Sequence, residues 1–596
     1  MANTSHAQSE MQIADLLVAY LEQIGVGHVF GVPGGAIEPL YNAIARSQRR
    51  GGIRPVLARH ESGAAFMADA YTRETGKIGV CCATSGPGAT NLITGVACAF
   101  DNCIPMLVIT GQPSLPSFGR RALQESACTG VNTLGMFRHC SRYDSLISHP
   151  EQFETKLVTA LQRAMRAPCG PVHLTIPLDI MKMPSPVTAP SYQLADKLRG
   201  ASLIDMDAVD RLGQLFSAAE NPCLLIGGSC GEAIREILAF ARRFSIPYVT
   251  TPDGKGLIQP DDPLYRGVFG FAGHPAAGAL LRAPSVDLVL AVGSSMNEWT
   301  SSGWSHSLLN DKLIHIDESA EHLARSPMAR LHVRGRLQSI FSQLLRQAPE
   351  TISRQTLDSS VAPAWQTESR QAVFAKTESN PSDLIGPARL MHELGKCFPP
   401  DTRFLADAGN SVAWAIQHLM PGGYPEPSRA QPSRPSLLTP PSVPGGWLRL
   451  TMDFAPMGWA IGGAIGTAIG NPNAPVVCLS GDGSMLMNGQ EISVAVAEKL
   501  NVVFVVLNDQ ALGMVKHGQR LAGAERIAYE LPPTDFAALA RAQGAQGITI
   551  RSPEDIAALD IPAILERSGP TLLDVYIDPE AVPPINLRMQ MLGGEL

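Results

Sequence analysis

Asp482 stands between two glycines in GDGS (481–484), and the pair Asn508-Asp509 follows about one helix and one strand later. Carboxylate and carboxamide oxygens are hard donors of the kind Mg²⁺ takes, and Mg²⁺ fills its remaining positions with water and phosphate oxygens. Gly481 and Gly483 let the backbone come close to an anion. A helix beginning there would offer that anion unpaired N–H groups. Alone, Gly-Asp-Gly reads as a tight strand-to-helix turn. The oxygen donors at the end of the next apolar run turn the reading towards a metal and a phosphate. A second acid, Glu61 in RHESGAAFMADAYTRETG (59–76), lies where an apolar run gives way to a helical pattern. On its own it is a first-turn acid favoured by the helix dipole.

The elements that must carry these groups are legible around them. PVVCLS (475–480) is short, apolar and rich in β-branched residues, as buried parallel strands are. Residues 487–499 have helical spacing, with Ile492, Val496 and Leu500 on one face, and VVFVVL (502–507) is a second such strand. A βαβ unit makes the strands parallel with a right-handed crossover. Asp482 and Asn508-Asp509 should then leave at one carboxyl edge, where open α/β sheets bind ligands.

The same alternation runs through the chain in three blocks. The first holds helices over 12–24, 62–73 and 89–100 and strands over 28–32, 54–58, 79–84, 105–110 and 171–177. The second holds strands over 223–228, 247–251, 288–293 and 312–317, and the third adds 403–409 to the unit above. We therefore expect an α/β fold of three doubly wound parallel-sheet domains, at 10–184, 202–346 and 383–578, with a tail at 579–596. PSPVTAPS (184–191) and the polar stretch 347–382 read as linkers, and the Pro/Ser-rich run 421–446 as a surface loop.

Composition narrows the partners. A net charge of −7 over 596 residues argues against binding nucleic acid through a basic face. Eleven cysteines without metal-like or disulfide-framework spacing fit reduced core thiols, hence a cytoplasmic protein. The N-terminus lacks the basic and apolar regions of a signal peptide, and no run is long and apolar enough for a membrane span.

FGVPGG (30–35), RHE (59–61), TSGPGATN (84–91), ITGQ (109–112), LQE (123–125), GPVHLTIPLD (170–179), DAGN (407–410), MGWAIGGAIG (457–466) and GDGS (481–484) occur in this order. Together they resemble the acetolactate synthase-like family of thiamine diphosphate (ThDP) enzymes. The resemblance implies pyrimidine-binding, central and diphosphate-binding domains. Glu61 would hydrogen-bond the aminopyrimidine and favour the tautomer that takes the proton from the thiazolium carbon. Met457 would be the apolar wedge beneath the bent cofactor, and backbone groups of Ala455 and Met457 would bind the pyrimidine edge. Asn410, Ser411, Gly483 and Ser484 match diphosphate-contacting positions. Asp482, Asp509 and the main-chain carbonyl of Ala511 match the Mg²⁺ ligands, Asp509 standing where the family signature has a second Asn. Glu61 and Asp482 would serve one cofactor from different chains, so a homodimer is the smallest active unit and a homotetramer a natural extension of it.

For the reaction, the resemblance implies a 2-keto acid donor and an aldehyde or keto acceptor. Gln124, beside Glu125, and VPGGAI (32–37) match positions near the reacting centre. His60, His274 and His517 are candidate proton shuttles, His517 in the segment that covers the family's active site. Gly518 stands where biosynthetic synthases carry an acceptor-selecting tryptophan, and Ser62 where they carry Gln. SSMNEW (294–299) and PDGKGLIQPDDPLYRGVFGFAGH (252–274) depart from the flavin-associated segments, which argues against FAD. The first reading is a ThDP- and Mg²⁺-dependent carboligase with an atypical acceptor pocket. The alternatives are a decarboxylase or C–C lyase of the benzoylformate decarboxylase or benzaldehyde lyase kind, and a catalytically silent paralogue.

Overall fold

Apolar runs bounded by glycine and proline become the strands of three six-stranded sheets, in which every strand pair is parallel. The computed structural model describes residues 11–347, 384–422 and 446–589, apart from positions 128, 199–202, 587 and 588. Most of the expected linker at 347–382 and of the Pro/Ser-rich run at 421–446 lies outside the described residues. The chain divides near residue 200 into two compact units, the first with one sheet and the second with two.

In the first unit, β1 (His28–Val32), β2 (Arg54–Leu57), β3 (Gly79–Ala83), β4 (Met106–Gln112), β5 (Tyr143–Leu146) and β6 (Pro171–Pro177) lie in the order β2-β1-β3-β4-β6-β5. In the second unit, the first sheet contains β7 (Pro222–Ile226), β8 (Tyr248–Thr250), β9 (Tyr265–Val268), β10 (Leu288–Val292), β11 (Leu313–Asp317) and β12 (Leu331–Arg334), ordered β12-β11-β10-β7-β8-β9. Counted from its own first strand this is the 3-2-1-4-5-6 winding of nucleotide-binding folds. The other sheet holds β13 (Arg403–Ala406), β14 (Leu448–Arg449), β15 (Val476–Gly481), β16 (Val502–Asn508), β17 (Gln546–Ile550) and β18 (Thr571–Tyr576), ordered β14-β13-β15-β16-β18-β17. Its winding repeats that of the first unit, and the order reverses between β13 and β15. That switch point opens a crevice at the carboxyl edge. The fold is thus the expected α/β architecture of three doubly wound parallel sheets.

Register decides what meets at that edge. β15 and β16 pair from Val476↔Val502 to Gly481↔Leu507, so Asp482 and Asn508 step off the sheet side by side. The expected helix at 487–499 differs in detail. A helix starts at once at Asp482 and runs to Asn488, a 3-10 turn covers Gly489–Glu491, and a second helix spans Ile492–Ala497. Gly489 marks the break: a Cβ there would lie 2.8 Å from the sulfur of Met485. Behind this unit runs the helix Trp459–Gly470, buried from Trp459 to Ile469. Among the described residues no helix is long and apolar enough to cross a membrane.

In the first unit, close packing places the helix Glu61–Thr75 against the sheet. A Cβ on Gly79 would sit 2.1 Å from the carbonyl oxygen of Ala68, and one on Gly95 would sit 2.4 Å from the Cβ of Ala65. Gly79→Ala should therefore lower unfolding free energy by about 1–3 kcal/mol through overpacking, measured by urea denaturation.

Candidate active site

β13, β15 and β16 deliver their following loops to one cavity of about 280 Å³ in the second unit. Asn410 and Ser411 come from the helix after β13, Ala455 and Met457 from the loop before the helix Trp459–Gly470, and Asp482, Gly483 and Ser484 from the helix after β15. Asp509 and Ala511 follow β16. All nine positions expected in this unit to hold metal or cofactor line the same space.

Asp482 is 3% exposed. Its Oδ1 accepts from the N–H of Gly483 (2.7 Å) and its Oδ2 from that of Ala511 (3.2 Å). Burial raises its pKa, and these N–H groups offset part of the rise. Burial also raises the pKa of Asp509, helped by the charge of Asp482. Gln510, between Asp509 and Ala511, has φ +54°, and the turn is held by Leu512 N–H to Tyr529 O (2.7 Å) and Leu531 N–H to Gln510 O (2.9 Å). Glycines keep the space open. A Cβ on Gly483 would lie 2.6 Å from Leu512 and 3.1 Å from Met457, and one on Gly513 would lie 2.5 Å from both Asn410 Nδ2 and Asp509 Oδ2. The buried Oδ1 of Asn410 has no hydrogen-bond partner among the described residues.

Two carboxylates that repel one another, helix N-termini and a glycine cradle fit a divalent cation carrying a diphosphate. Among the described residues no three His, Cys, Asp or Glu side chains gather as a metal site. An ion here would complete its shell from main chain, water and phosphate, as Mg²⁺ does.

Residues that sequence reasoning did not single out hold the Met457 loop. Asp407, fully buried at the end of β13, accepts from Gly458 N–H (2.7 Å) and Ala460 N–H (2.9 Å). Asn488 donates to the carbonyl of Met457 at 3.4 Å. Gly458 has φ +91°, and a Cβ there would lie 2.0 Å from Asn488 Nδ2. Asp407 could have been found as a lone acid closing an apolar strand; Asn488 carries no such signal. Asn508 turns away: its Nδ2 donates to Asp574 (2.8 Å), and Asp509 alone of the pair lines the cavity.

Glu61 belongs to the first unit, in the first turn of its helix, with the ring of His60 capping the N-terminus. It is 9% exposed, and one oxygen accepts from Asn91 Nδ2 at 2.9 Å. Gln124, also in that unit, is exposed with φ +58°. Its loop is tied down by the neighbouring pair Gln112 and Ser126, joined through Gln112 Nε2 to Ser126 Oγ (2.9 Å) and Ser126 N–H to Gln112 Oε1 (3.2 Å).

The three candidate histidines lie in different surroundings. His274 is locked between the N–H of Val268 (2.9 Å) and the carbonyl of Gln417 (2.9 Å), and burial lowers its pKa to about 3. His60 is a helix cap. His517 is buried in the helix Gly513–Leu521 and does not line the cavity, although Gly513, Met514 and Val515 of that helix do. Burial first, then the charges of Arg520 and Lys516, lowers its pKa to about 4, so it is neutral at physiological pH.

Comparison with known proteins decides the family. Residues 11–131 match the model of a thiamine pyrophosphate enzyme N-terminal TPP binding domain, 209–344 the central domain and 437–575 the C-terminal TPP binding domain. The chain is 33% identical to the acetolactate synthase isozyme 2 large subunit of Escherichia coli K12, over 98% of this chain and 99% of that protein. It is 31% identical to the acetolactate synthase of Arthrospira platensis, over 97% and 96%. The chain belongs to the thiamine diphosphate enzyme family. It is a ThDP-dependent enzyme of the acetolactate synthase-like branch, and nothing in these matches supports FAD.

Two outcomes test the ThDP site. Gly458→Val should destabilise the protein by at least about 2 kcal/mol and weaken ThDP binding, read by thermal melts and calorimetry. The second concerns pH. Carboxyl groups with raised folded-state pKa values contribute stability below the ordinary carboxylate range and lose it as pH rises through the raised values. A bound cation offsets that loss. Mg²⁺ should therefore raise the Tm of cofactor-free protein more at about pH 8 than at about pH 5, with the difference reduced in Asp509→Asn.

Proposed function

We propose that this protein is a ThDP- and Mg²⁺-dependent carboligase. It would decarboxylate pyruvate or a related 2-keto acid and join the remaining carbon unit to a second carbonyl. The observation that carries this reading is the convergence of nine residues, spread over a hundred positions of sequence, on one cavity at a topological switch point. The full-length likeness to proteins named acetolactate synthase supports it.

Asp482, Asp509 and the Ala511 carbonyl would hold Mg²⁺; Asn410, Ser411, Gly483 and Ser484 would hold the diphosphate. When bound, ThDP supplies the nucleophilic carbon and the electron sink. The chain supplies placement and proton control. Met457, braced through Gly458 and Asn488, sets the cofactor's bend. Glu61, with one oxygen engaged by Asn91, presents the other to the aminopyrimidine. A second copy of the chain would contribute Glu61, making a homodimer the active minimum. Gly518 has no atom within 4 Å of a Cβ position and lies outside the residues that line the cavity; a larger acceptor pocket there rests on the resemblance, which puts the synthases' tryptophan at this position.

The second reading is a 2-keto acid decarboxylase or C–C lyase, which needs no acceptor-holding side chain at position 518. Proton NMR of products from enzyme, ThDP, Mg²⁺ and pyruvate, alone and with benzaldehyde, separates the two. Acetolactate or a mixed hydroxyketone supports the carboligase, and acetaldehyde alone the decarboxylase. No turnover with any 2-keto acid would sink the carboligase and the decarboxylase, and cleavage of a 2-hydroxyketone such as benzoin to aldehyde would then single out the C–C lyase. Glu61→Gln should lower kcat by about 10²–10⁴ without unfolding the protein. Gly518→Trp should narrow the acceptor range towards small keto acids.

A further inference from the structure

The segment 252–274 has no part in the cavity, yet both of its ends reach the helix Asn410–His418, whose first turn lines it. Lys255 lies in the 3-10 turn Pro252–Leu257 that follows β8. It is 2% exposed, and its Nζ donates to the carbonyls of Ala415 (2.9 Å), Ile416 (2.7 Å) and Leu419 (2.6 Å). Ala415 and Ile416 lie in the last turn of that helix and Leu419 is its C-cap; Ala415 O also accepts the Leu419 N–H (3.2 Å), and a helix's last carbonyls in general need such partners from outside. Burial pushes the Lys255 pKa well below the ordinary lysine range, while three carbonyls around one nitrogen form the acceptor set that the three N–H donors of an ammonium fill. Among the described residues no carboxylate pairs with it. Its compensation is the negative end of the helix dipole.

His274, at the other end of the segment, holds the carbonyl of Gln417, and Gln417 Nε2 donates back to the carbonyl of Gly273 (3.3 Å). The segment also grips the sheet of the cavity. Trp447 N–H donates to Gly256 O (3.0 Å), and Trp447 Nε1 to Ile258 O (3.0 Å). A Cβ on Gly256 would lie 2.2 Å from the carbonyl oxygen of Leu448 in β14. One helix therefore has its C-terminal carbonyls closed by the 3-2-1-4-5-6 sheet's loops and its N-terminus open to the cavity. Gly409, at the open end, has φ +106° and no atom within 4 Å of a Cβ position.

We propose that Lys255 is a positioning residue for the cofactor: by holding the last carbonyls of the helix Asn410–His418, it sets the depth at which Asn410 and Ser411 meet the diphosphate. This rests on the reading of the cavity as the diphosphate site. It gives the sheet β7–β12 a part in cofactor binding that needs no nucleotide of its own.

The test titrates ThDP, with Mg²⁺ saturating, into full-length wild type, Lys255→Met and Lys255→Arg by calorimetry, and records the Tm of each cofactor-free protein. Val209→Ala, in the core of the same sheet, is the control for destabilisation alone. Lys255→Met should weaken ThDP binding about tenfold or more, with KM for the keto acid unchanged at saturating ThDP; Lys255→Arg should recover part, and Val209→Ala should leave Kd alone. A Lys255→Met protein that binds ThDP like wild type and only melts earlier would overturn the proposal. Absence of ThDP binding by wild type would overturn the site reading and this proposal with it. Should Lys255→Met fail to fold, hydrogen exchange on wild type decides. Adding ThDP and Mg²⁺ should slow exchange in 252–257 together with 410–418; slowing confined to 408–411 would be the contrary result.

Discussion

Two carboxylates brought to one strand edge, away from water, repel each other, and the fold alone does not relieve the repulsion. Asp482 and Asp509 are in that position because parallel pairing of β15 with β16 leaves no other place for the residues that end them. The neighbouring structure is arranged around that repulsion. N–H groups of Gly483 and Ala511 point at Asp482, and Gly513 makes room for Asp509 beside Asn410. A cation with an anionic partner would turn this unfavourable cluster into a favourable one.

Rigidity comes from the layer behind. Asp407 accepts from the N–H groups of Gly458 and Ala460 and so ties down the backbone next to Met457. Buried polar groups of this sort are stable only when each is satisfied. The same holds at the far end of the helix Asn410–His418, where the buried Lys255 amino group and the His274 imidazole hold the closing carbonyls.

The interior strands were legible because parallel strands covered on both faces read as unbroken apolar runs. β1, β3, β4, β6, β7, β10, β15 and β16 fell close to their expected places. The interior β18 was an exception, and of the edge strands only β2 was legible. YDSL of β5, LHVR of β12 and QGITI of β17 are half-exposed on one face or both and carry too little apolar sequence to stand out. At the site, glycines and acids in short motifs were legible, since close approach and charge restrict residue type. Side-chain direction was not: Asn508 reads as a donor for metal but is claimed by Asp574 from the next strand, and no local pattern announces that. Nor were the partners of the His274 ring legible, since both are set by tertiary packing.

The first and third sheets share the winding 2-1-3-4-6-5 counted from their own first strands. Positions can therefore be mapped between them although their sequences show no repeat. Gln112 ends the fourth strand of one and Asn508 the fourth strand of the other, each a buried carboxamide locked to a buried polar neighbour, Ser126 or Asp574. The two sheets thus place a locked carboxamide at the same strand end while the loops beyond it differ. One side carries Glu61 and the other the acid pair, so each holds chemistry that the other lacks.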